Sequence, residues 1–477
     1  MKNLFLDTRT LDNRSSTEFK LSSEILMENA ARGMLEFLLP KLNPKSKILL
    51  ICGSGDNGAD CLALARMLYG TYNLSVFLPL GAKSPLCKLQ LERLEAIATS
   101  NLQFNFLKQL EKIYEEEFDV MIDGLFGAGF KGTLNTEFCT LLKTLNQKNA
   151  LKIACDIPSG IQNNGKIPNI AFKADYTLTM GALKCALYLD NTKDFVGEVQ
   201  LLSLGVTESV FIKESPIKLL ERSDLKLPFR EKQNTNKGDF GHLCVFLGEK
   251  QGAGVLCALS ALRSGCGLVS VLNNTPILCN LPFTLMHTKK IPSNTTAIAL
   301  GMGLGRDFEL VNFLPHLKNT SLVLDADIFY NTAFKDLLQS NPNCILTPHP
   351  KEFTQILNAL NLCEISTQDL QQDRIHFALE FSRAYPSATL VLKGANTIIA
   401  HKENIYINPF GNNALAKGGS GDVLCGIISG LIAQGYNPLD AAINGVLIQS
   451  FCAESFMKNS QNFSLTPLDL IEQIRYI

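Results

Sequence analysis

The chain has 477 residues, which suggests roughly two to three domains. An apolar fraction of 46 % can fill complete cores, and 44 Lys and Arg against 45 Asp and Glu leave neither a basic excess for nucleic acid nor an acidic tail. No apolar run approaches the roughly 20 residues of a membrane helix. The start, Met1-Lys-Asn-Leu-Phe-Leu-Asp-Thr-Arg, is too short an apolar run for a signal peptide. A soluble, cytoplasmic protein acting on small molecules is expected, with no nucleic acid or membrane partner. The 14 cysteines include no Cys-x-x-Cys pair, and the His residues no His-x-x-x-His. Buried thiols are expected rather than a disulfide framework or a zinc site.

In chain order, the first helix is predicted over residues 20–39. Ser22 or Ser23 can cap it, and Leu26, Ala30, Gly33, Phe37 and Leu38 share a face. Glu28 reads as surface decoration. The run at 47–52 is apolar throughout and predicts a strand buried on both faces. Gly53, Gly55 and Gly58 then form Gly-x-Gly-x-x-Gly before a helix, the geometry of a phosphate-binding βα unit. No ribose-binding acid is evident, and a plain tight turn is the alternative. Asp56, Asn57 and Asp60 add polar groups that a turn does not need. Further strands are predicted at 74–78, near 102–106, and at 118–123, 151–155, 176–180 and 199–203, with helices at 85–98 and 135–147. Three of these strands end in polar loops, carrying Asn57, Asp123, and Asp156 with Ser159. In an open parallel sheet such loops share one site beyond the carboxyl ends of the strands.

Residues 205–236 read as a polar, irregular linker into a second α/β domain. Strands leading into Gly or polar loops are predicted at 242–248, 267–272, 297–305, 321–327, 344–352 and 389–397, with helices at 253–264, 421–434 and 438–456. Asp325 and Asp327 read equally well as plain strand ends. By themselves, His349 between two prolines reads as a rigid surface turn and Lys393 as a solvated strand-end lysine. The strongest signal is Gly418-Gly-Ser-Gly-Asp422. The glycines permit a tight turn and a close approach of backbone to ligand, and the helix that follows points free N–H groups at an anion. A carboxylate there is better explained as a proton acceptor than as a phosphate holder.

The segments 26–30, 53–60, 123–132, 156–160, 237–242, 252–267, 301–305, 324–327, 346–352, 393–397 and 418–426, in this order, cover nearly the whole chain. Together they resemble the bifunctional NAD(P)H-hydrate repair enzymes, in which an epimerase domain is fused to an ADP- or ATP-dependent dehydratase domain. The resemblance implies a Rossmann-like three-layer α/β domain over 1–215 and a ribokinase-like α/β domain over 216–477. In the first domain it implies that Asp56, Asn57, Gly58, Ala59, Asp60, the stretch Gly127, Ala128, Gly129, Phe130, Lys131, Gly132 and Thr133, and Asp156 contact hydrated NADH or NADPH. Asn57, Asp123 and Ser159 would hold a potassium ion, and Asp156 would be the acid/base at the inverted ring carbon. In the second domain Ala253, Gly303, His349 and Asp422 would contact the hydrate. Lys393, Gly394, Ala395, Asn396, Thr397 and Gly421 would contact the adenine nucleotide, with ADP favoured as donor and magnesium on its phosphates. Asp422 would be the base.

Association with a second copy of the chain is left open. The family loop Asn-Asn-Gly-Gly-Asp-Gly is replaced here by Asp56–Cys61. Ala59 therefore requires φ below zero, and Cys61 places a side chain against the approaching ligand. The alternative reading is a small-metabolite kinase of the ribokinase-like class with a non-catalytic nucleotide-binding first domain. The fused first domain and the Thr-Pro-His-Pro-Lys-Glu segment at 347–352 oppose it.

Overall fold

The structure, a computed structural model, describes residues 1–98, 104–107, 110–273 and 280–477. The chain separates into two compact units, Asn3–Ser215 and Pro216–Ile477 with Met1–Lys2.

The first unit is built on seven strands: β1 (Lys47–Cys52), β2 (Asn73–Phe77), β3 (Phe104–Leu107), β4 (Val120–Gly124), β5 (Leu151–Cys155), β6 (Tyr176–Met180) and β7 (Glu198–Leu202). Their order is β3-β2-β1-β4-β5-β6-β7, every pair parallel. Residues 102–103 of the strand expected near 102–106 lie outside the described residues. The apolar run of β1 is explained by burial on both faces. Ile48, Leu50 and Cys52 pack on one side of the sheet. Leu49 and Ile51 pack on the other with Leu141, Leu142 and Leu145, and each such side chain contributes about 1.5–3 kcal/mol.

Two helices precede β1: α1 (Arg9–Thr17), which the sequence did not signal, and α2 (Ser23–Leu38), whose cap Ser22 accepts from the Ile25 amide at 3.3 Å. α2 is clamped on two sides. Met27, Ala31, Met34 and Leu38 join the sheet-facing core, while Leu26 and Ala30 pack with Leu11 of α1. Glu28 is not surface decoration. It accepts from Arg66 Nη2 at 2.6 and 2.7 Å and from Gln90 Nε2 at 2.9 Å, tying α2 to α3 (Asp56–Leu68) and α4 (Pro85–Ile97). Helix α5 (Thr136–Gln147) covers the opposite face. From β1 the chain steps outward to β2 and β3, then returns to place β4 on the other side of β1. That reversal opens a crevice at the carboxyl ends of β1 and β4.

The second unit carries β8 (Ile217–Leu219), β9 (His242–Phe246), β10 (Leu268–Leu272), β11 (Met286–Thr288), β12 (Ala297–Leu300), β13 (Ser321–Leu324), β14 (Ile345–Leu346), β15 (Thr389–Leu392), β16 (Thr397–His401) and β17 (Asn404–Asn408). These follow the order β8-β17-β16-β15-β14-β13-β12-β9-β10-β11. Pairing is parallel from β11 through to β15 and antiparallel in the β15–β16–β17 meander. Part of the expected linker is thus a strand, since Ile217–Leu219 pairs in parallel with β17. Helices α6 (Gln251–Arg263) and α8 (Ser420–Ala433) pack closely because Gly430 brings the α8 backbone onto Ala261. α9 (Pro438–Met457) flanks α8, and α7 (Pro350–Ala359) follows β14.

Among the described residues no helix is long and apolar enough to cross a membrane. The described cysteines are free thiols, buried or half-buried.

Candidate active sites

The crevice of the first unit opens into a cleft of about 510 Å³ lined by Ser54, Asp56, Asn57, Asp60, Phe126, Gly127, Ala128, Gly129, Phe130, Asp156 and Lys184, with Thr8, Arg9, Asp12, Asn13 and Ser16 from α1 and the residue before it. Loops after β1, β4 and β5 therefore converge, as their polar ends foretold. Asp156 sits in the left-handed region at φ 68°, a conformation that non-glycine residues hold only when their surroundings fix it. Here they do. Its Oδ1 accepts from Lys184 Nζ at 2.6 Å, Thr179 Oγ1 at 3.2 Å and the Met180 amide at 3.2 Å. Lys184 is 4 % exposed and also donates to Thr179 Oγ1 at 2.9 Å.

Beside the cleft, Asp123 is fully buried. It accepts from Ser159 Oγ at 2.6 Å, the Ser159 amide at 2.7 Å and the Leu125 amide at 3.2 Å. Burial pushes it up to about 6 against those hydrogen bonds. Asn57 Nδ2 is buried without a hydrogen-bond partner among the described residues. Burial, then Asp156 and Asp56, push Asp60 well above the usual carboxylate range. Burial raises Asp12 to about 6, with Lys184 opposing and Asp156 and Asp7 adding to the rise.

Gly58 and Ala59 are buried behind this surface and do not line the cleft. Gly58 is required because its Cα lies against the backbone of Gly53. Ala59 lies within α3 and is absent from the positive-φ residues, so its side chain causes no strain. Cys61 does not face the ligand. It is fully buried in the core cluster that also holds Cys52 and Cys155. Lys131 lines a neighbouring cavity of about 550 Å³ with Arg9, Gln162, Asn163 and Asn164. Gly132 and Thr133 line neither cavity.

In the second unit, Gly419 at φ 92° starts α8, and a side chain there would meet Pro467 Cγ at 2.6 Å. Ser420 N–H is taken by the Lys417 carbonyl at 3.2 Å, whereas the Gly421 and Asp422 amides have no backbone acceptor among the described residues. Asp422 lies in the first turn of α8, and its carboxylate has no hydrogen-bond partner among the described residues. Burial pushes it up to about 6, with Asp325 and Asp327 adding to the rise and Lys393 opposing.

Lys393 is not a solvated strand end. Its Nζ lies 2.8 Å from Asp325 Oδ1 and 3.9 Å from Glu352 Oε2. Burial would lower its pKa, but Asp325 and Glu352 outweigh that and raise it. A Cβ built on Gly421 would stand 3.2 Å from Lys393 Nζ and 3.8 Å from Asp325 Oδ2, so the bare glycine keeps open the space before the ion pair. The turn from Lys393 to Asn396 is gripped from behind by buried Arg374, which donates to the carbonyls of Leu392, Lys393 and Asn396 at 3.0–3.2 Å. Gly394 and Ala395 are its exposed tip, while Asn396 and Thr397 are buried. His349 caps α7, its Nδ1 accepting from the Glu352 amide at 3.1 Å, and burial and then Lys393 lower its pKa. Ala253 Cβ lies 3.1 Å from where a Cβ on Gly303 would stand. Gly303 belongs to the loop after β12, whose Gly301 carbonyl accepts from the Asp327 amide at 3.2 Å.

Sequence reasoning missed α1, Lys184 and Arg374. A lysine four residues after a strand end was a signal for the second; α1 and Arg374 carried none.

Residues 243–476 match the family described as NAD(P)H-hydrate dehydratase, and residues 23–186 match the family described as YjeF-related protein N-terminus. The chain is 44 % identical over 482 residues to the bifunctional NAD(P)H-hydrate repair enzyme Nnr of Helicobacter pylori, with 100 % of each chain covered. It is 31 % identical over 508 residues to the enzyme of the same name from Dictyoglomus turgidum, covering 98 % of this chain and 96 % of that one. Among solved structures, an ADP/ATP-dependent NAD(P)H-hydrate dehydratase from Bacillus subtilis, co-crystallised with ATP/Mg2+, is 27 % identical. It covers 54 % of this chain and 94 % of its own at a TM-score of 0.45. With identity at this level along its full length and both domains present in order, the chain belongs to the family of bifunctional NAD(P)H-hydrate repair enzymes.

Proposed function

We propose that this chain repairs hydrated NADH and NADPH, the first unit interconverting the R and S hydrates and the second dehydrating the S form at the expense of ADP. The observation that carries the reading is Asp422. It is a carboxylate without hydrogen bonds among the described residues, in the first turn of α8, beside an ion pair before which Gly421 leaves space. A base near pH 6 suits proton removal from a hydroxyl at neutral pH.

In the second unit Asp422 takes the hydroxyl proton as that oxygen attacks the terminal phosphorus of the donor. The bond to the departing AMP breaks, leaving a phosphate ester. The Gly421 and Asp422 amides and Lys393 face the transferred charge. Phosphate then leaves with its bonding electrons while the neighbouring carbon loses a proton, and the ring double bond is restored. The net products are NAD(P)H, AMP and phosphate.

Magnesium fits this site. Asp325 and Glu352 lie 2.8 and 3.9 Å from Lys393, and Asp325 and Asp327 act on Asp422. These carboxylates form no metal cluster by themselves among the described residues, and the acidic surrounding needs a cation once donor phosphates add their charge. Asp325 and Asp327 would face it, and it would neutralise charge on the transferred group.

In the first unit Asp156 is the acid/base at the inverted carbon, and Asp56, Asn57, Asp60 and the Gly127–Phe130 loop hold the nucleotide. Potassium fits Asn57, Asp123 and Ser159: Asp123 is a buried carboxylate with no basic side chain in ion-pair distance among the described residues, and an oxygen-bound monovalent cation would supply that charge. It would fix the loops that carry Asn57 and Ser159.

The test is to mix purified R and S hydrates of NADH with the full-length chain and either ADP or ATP, following nicotinamide absorbance and free phosphate. Recovery of absorbance with one phosphate per NADH supports the reading. A stable phosphorylated hydrate would instead support a kinase.

A further inference from the structure

We propose that Asp12, on α1, is a second catalytic carboxyl of the epimerase cleft, giving its proton to the ring nitrogen while Asp156 takes the proton of the ring hydroxyl. The inference rests on the epimerase reading above and assigns a group that reading leaves out.

Epimerisation by ring opening calls for such a group. Water adding across the enamine double bond of a reduced nicotinamide leaves its hydroxyl on the carbon bonded to the ring nitrogen. The two hydrates differ at that carbon. Its C–H lies next to no carbonyl, so inversion by carbanion formation is excluded. Ring opening and reclosure inverts the carbon while its oxygen stays attached. The hydroxyl proton goes to Asp156 as C=O forms. The C–N bond breaks with its electron pair moving to nitrogen, and nitrogen takes the proton of Asp12. Rotation about the freed C–C bond presents the other face of the aldehyde. On reclosure nitrogen attacks, its proton returns to Asp12, and Asp156 returns its proton to oxygen. Nothing is oxidised and no proton is gained or lost. A single carboxylate cannot be acceptor at oxygen and donor at nitrogen in the same step.

The structure offers several carboxyl groups in the cleft, and their surroundings divide the work. Asp156 has Oδ1 committed to three donors, Lys184, Thr179 and the Met180 amide, which orient it as an acceptor. Asp60 is held well above the usual carboxylate range by burial and by Asp156 and Asp56. Asp12 is near 6 by burial, close to the value a donor at neutral pH needs. The groups that face Asp12 are Asp7 before α1, Asp60 of α3, and Asp156 and Lys184 at the ends of β5 and β6. No hydrogen bond ties the Asp12 carboxyl among the described residues, and it lines the cleft together with the unpartnered Asn57 amide. Leu11 and Ser15, buried on the adjoining face of α1, anchor the helix, Leu11 packing against Leu26 and Ala30.

The experiment uses the full-length chain and purified R hydrate of NADH without nucleotide, following the S form by chromatography for wild type, Asp12→Asn and Asp12→Glu. Asp12→Asn is expected to slow interconversion by about 10²-fold or more. It should keep R-hydrate affinity and ADP-driven dehydration of the S form within about threefold of wild type, amounts small beside the roughly tenfold that 1.4 kcal/mol represents. In wild type the rate falls as pH rises through the Asp12 titration, and that limb is lost in Asp12→Asn. Asp12→Glu, which keeps the carboxyl, regains most of the rate. Interconversion by Asp12→Asn near the wild-type rate overturns the assignment. Should Asp12→Asn bind the hydrate poorly, failure of Asp12→Glu to restore the rate overturns it too. A wild type that binds hydrate but does not interconvert it removes the epimerase reading itself, a result distinct from a defect confined to the variants.

Discussion

Asp156 and Asp422 sit at corresponding places, each just past a strand end or at a helix start, and the protein treats them in opposite ways. Asp156 is pinned by a buried lysine, a threonine hydroxyl and a backbone amide, in a left-handed backbone conformation. Asp422 has no hydrogen bond among the described residues, and burial, then Asp325 and Asp327, disfavour its charge. The first carboxylate is set by orientation, the second by isolation. An epimerase must return every proton it takes, so a fixed, reversible acceptor suits it. A dehydratase drives one way with a phosphoryl donor, and its base need only be free to collect a proton near neutral pH.

The sharpest way to break that contrast is Asp422→Asn. It is expected to lower dehydration of the S hydrate by about 10³–10⁴-fold while epimerisation in the first unit continues; a phosphate-release assay measures one and chromatography of the epimers the other. Asp156→Asn should do the reverse, costing epimerisation about 10²–10⁴-fold with S-form dehydration intact. Parallel loss of both activities in either variant would show that the two carboxylates do not act separately.

Lys393→Met comes next. It leaves Asp325, 2 % exposed, without its counter-ion, a change of about 3–5 kcal/mol in a buried pair. Both a lower melting temperature and weaker donor binding by calorimetry are expected. With Asp422 raised to about 6, the dehydration rate should climb as pH rises through that value, because the base works only after losing its proton. A rate flat from pH 5 to 8 would deny that role. The smallest effect belongs to the frame. Glu28→Ala removes the partly exposed bond to Arg66 and the bond to Gln90 and should cost about 1 kcal/mol after solvent screening, read as a lower urea midpoint with both activities retained.

The sheets and the loops of the candidate sites were legible because their signals are local. The β1 run, buried on both faces, has to be apolar throughout, and the glycines at 53, 58 and 419 stand where backbone meets backbone or turns left-handed. What escaped depends on contacts far along the chain. In α1, Arg-Thr-Leu-Asp-Asn-Arg-Ser-Ser-Thr, Leu11 is the sole apolar residue, so no helical periodicity announces an element that supplies five cleft residues with its cap. The β16–β17 hairpin turns through Lys402 at φ 48° and Glu403 at φ 62°, without the Asn-Gly that marks such turns. Glu28 looked like an exposed helix residue because its partners lie 38 and 62 positions away. The departures at Ala59 and Cys61 looked harmful in sequence and are not, since both side chains point into the core behind the cleft.

The most direct test of the whole account is a single progress curve. Full-length protein receives an equal mixture of R and S hydrated NADH with excess ADP, and the absorbance of reduced nicotinamide is followed to its end. Complete recovery, falling to the S half alone in Asp156→Asn and to none in Asp422→Asn, is the predicted result. Wild-type protein that stops at half recovery, or that consumes ADP without restoring absorbance, would contradict it.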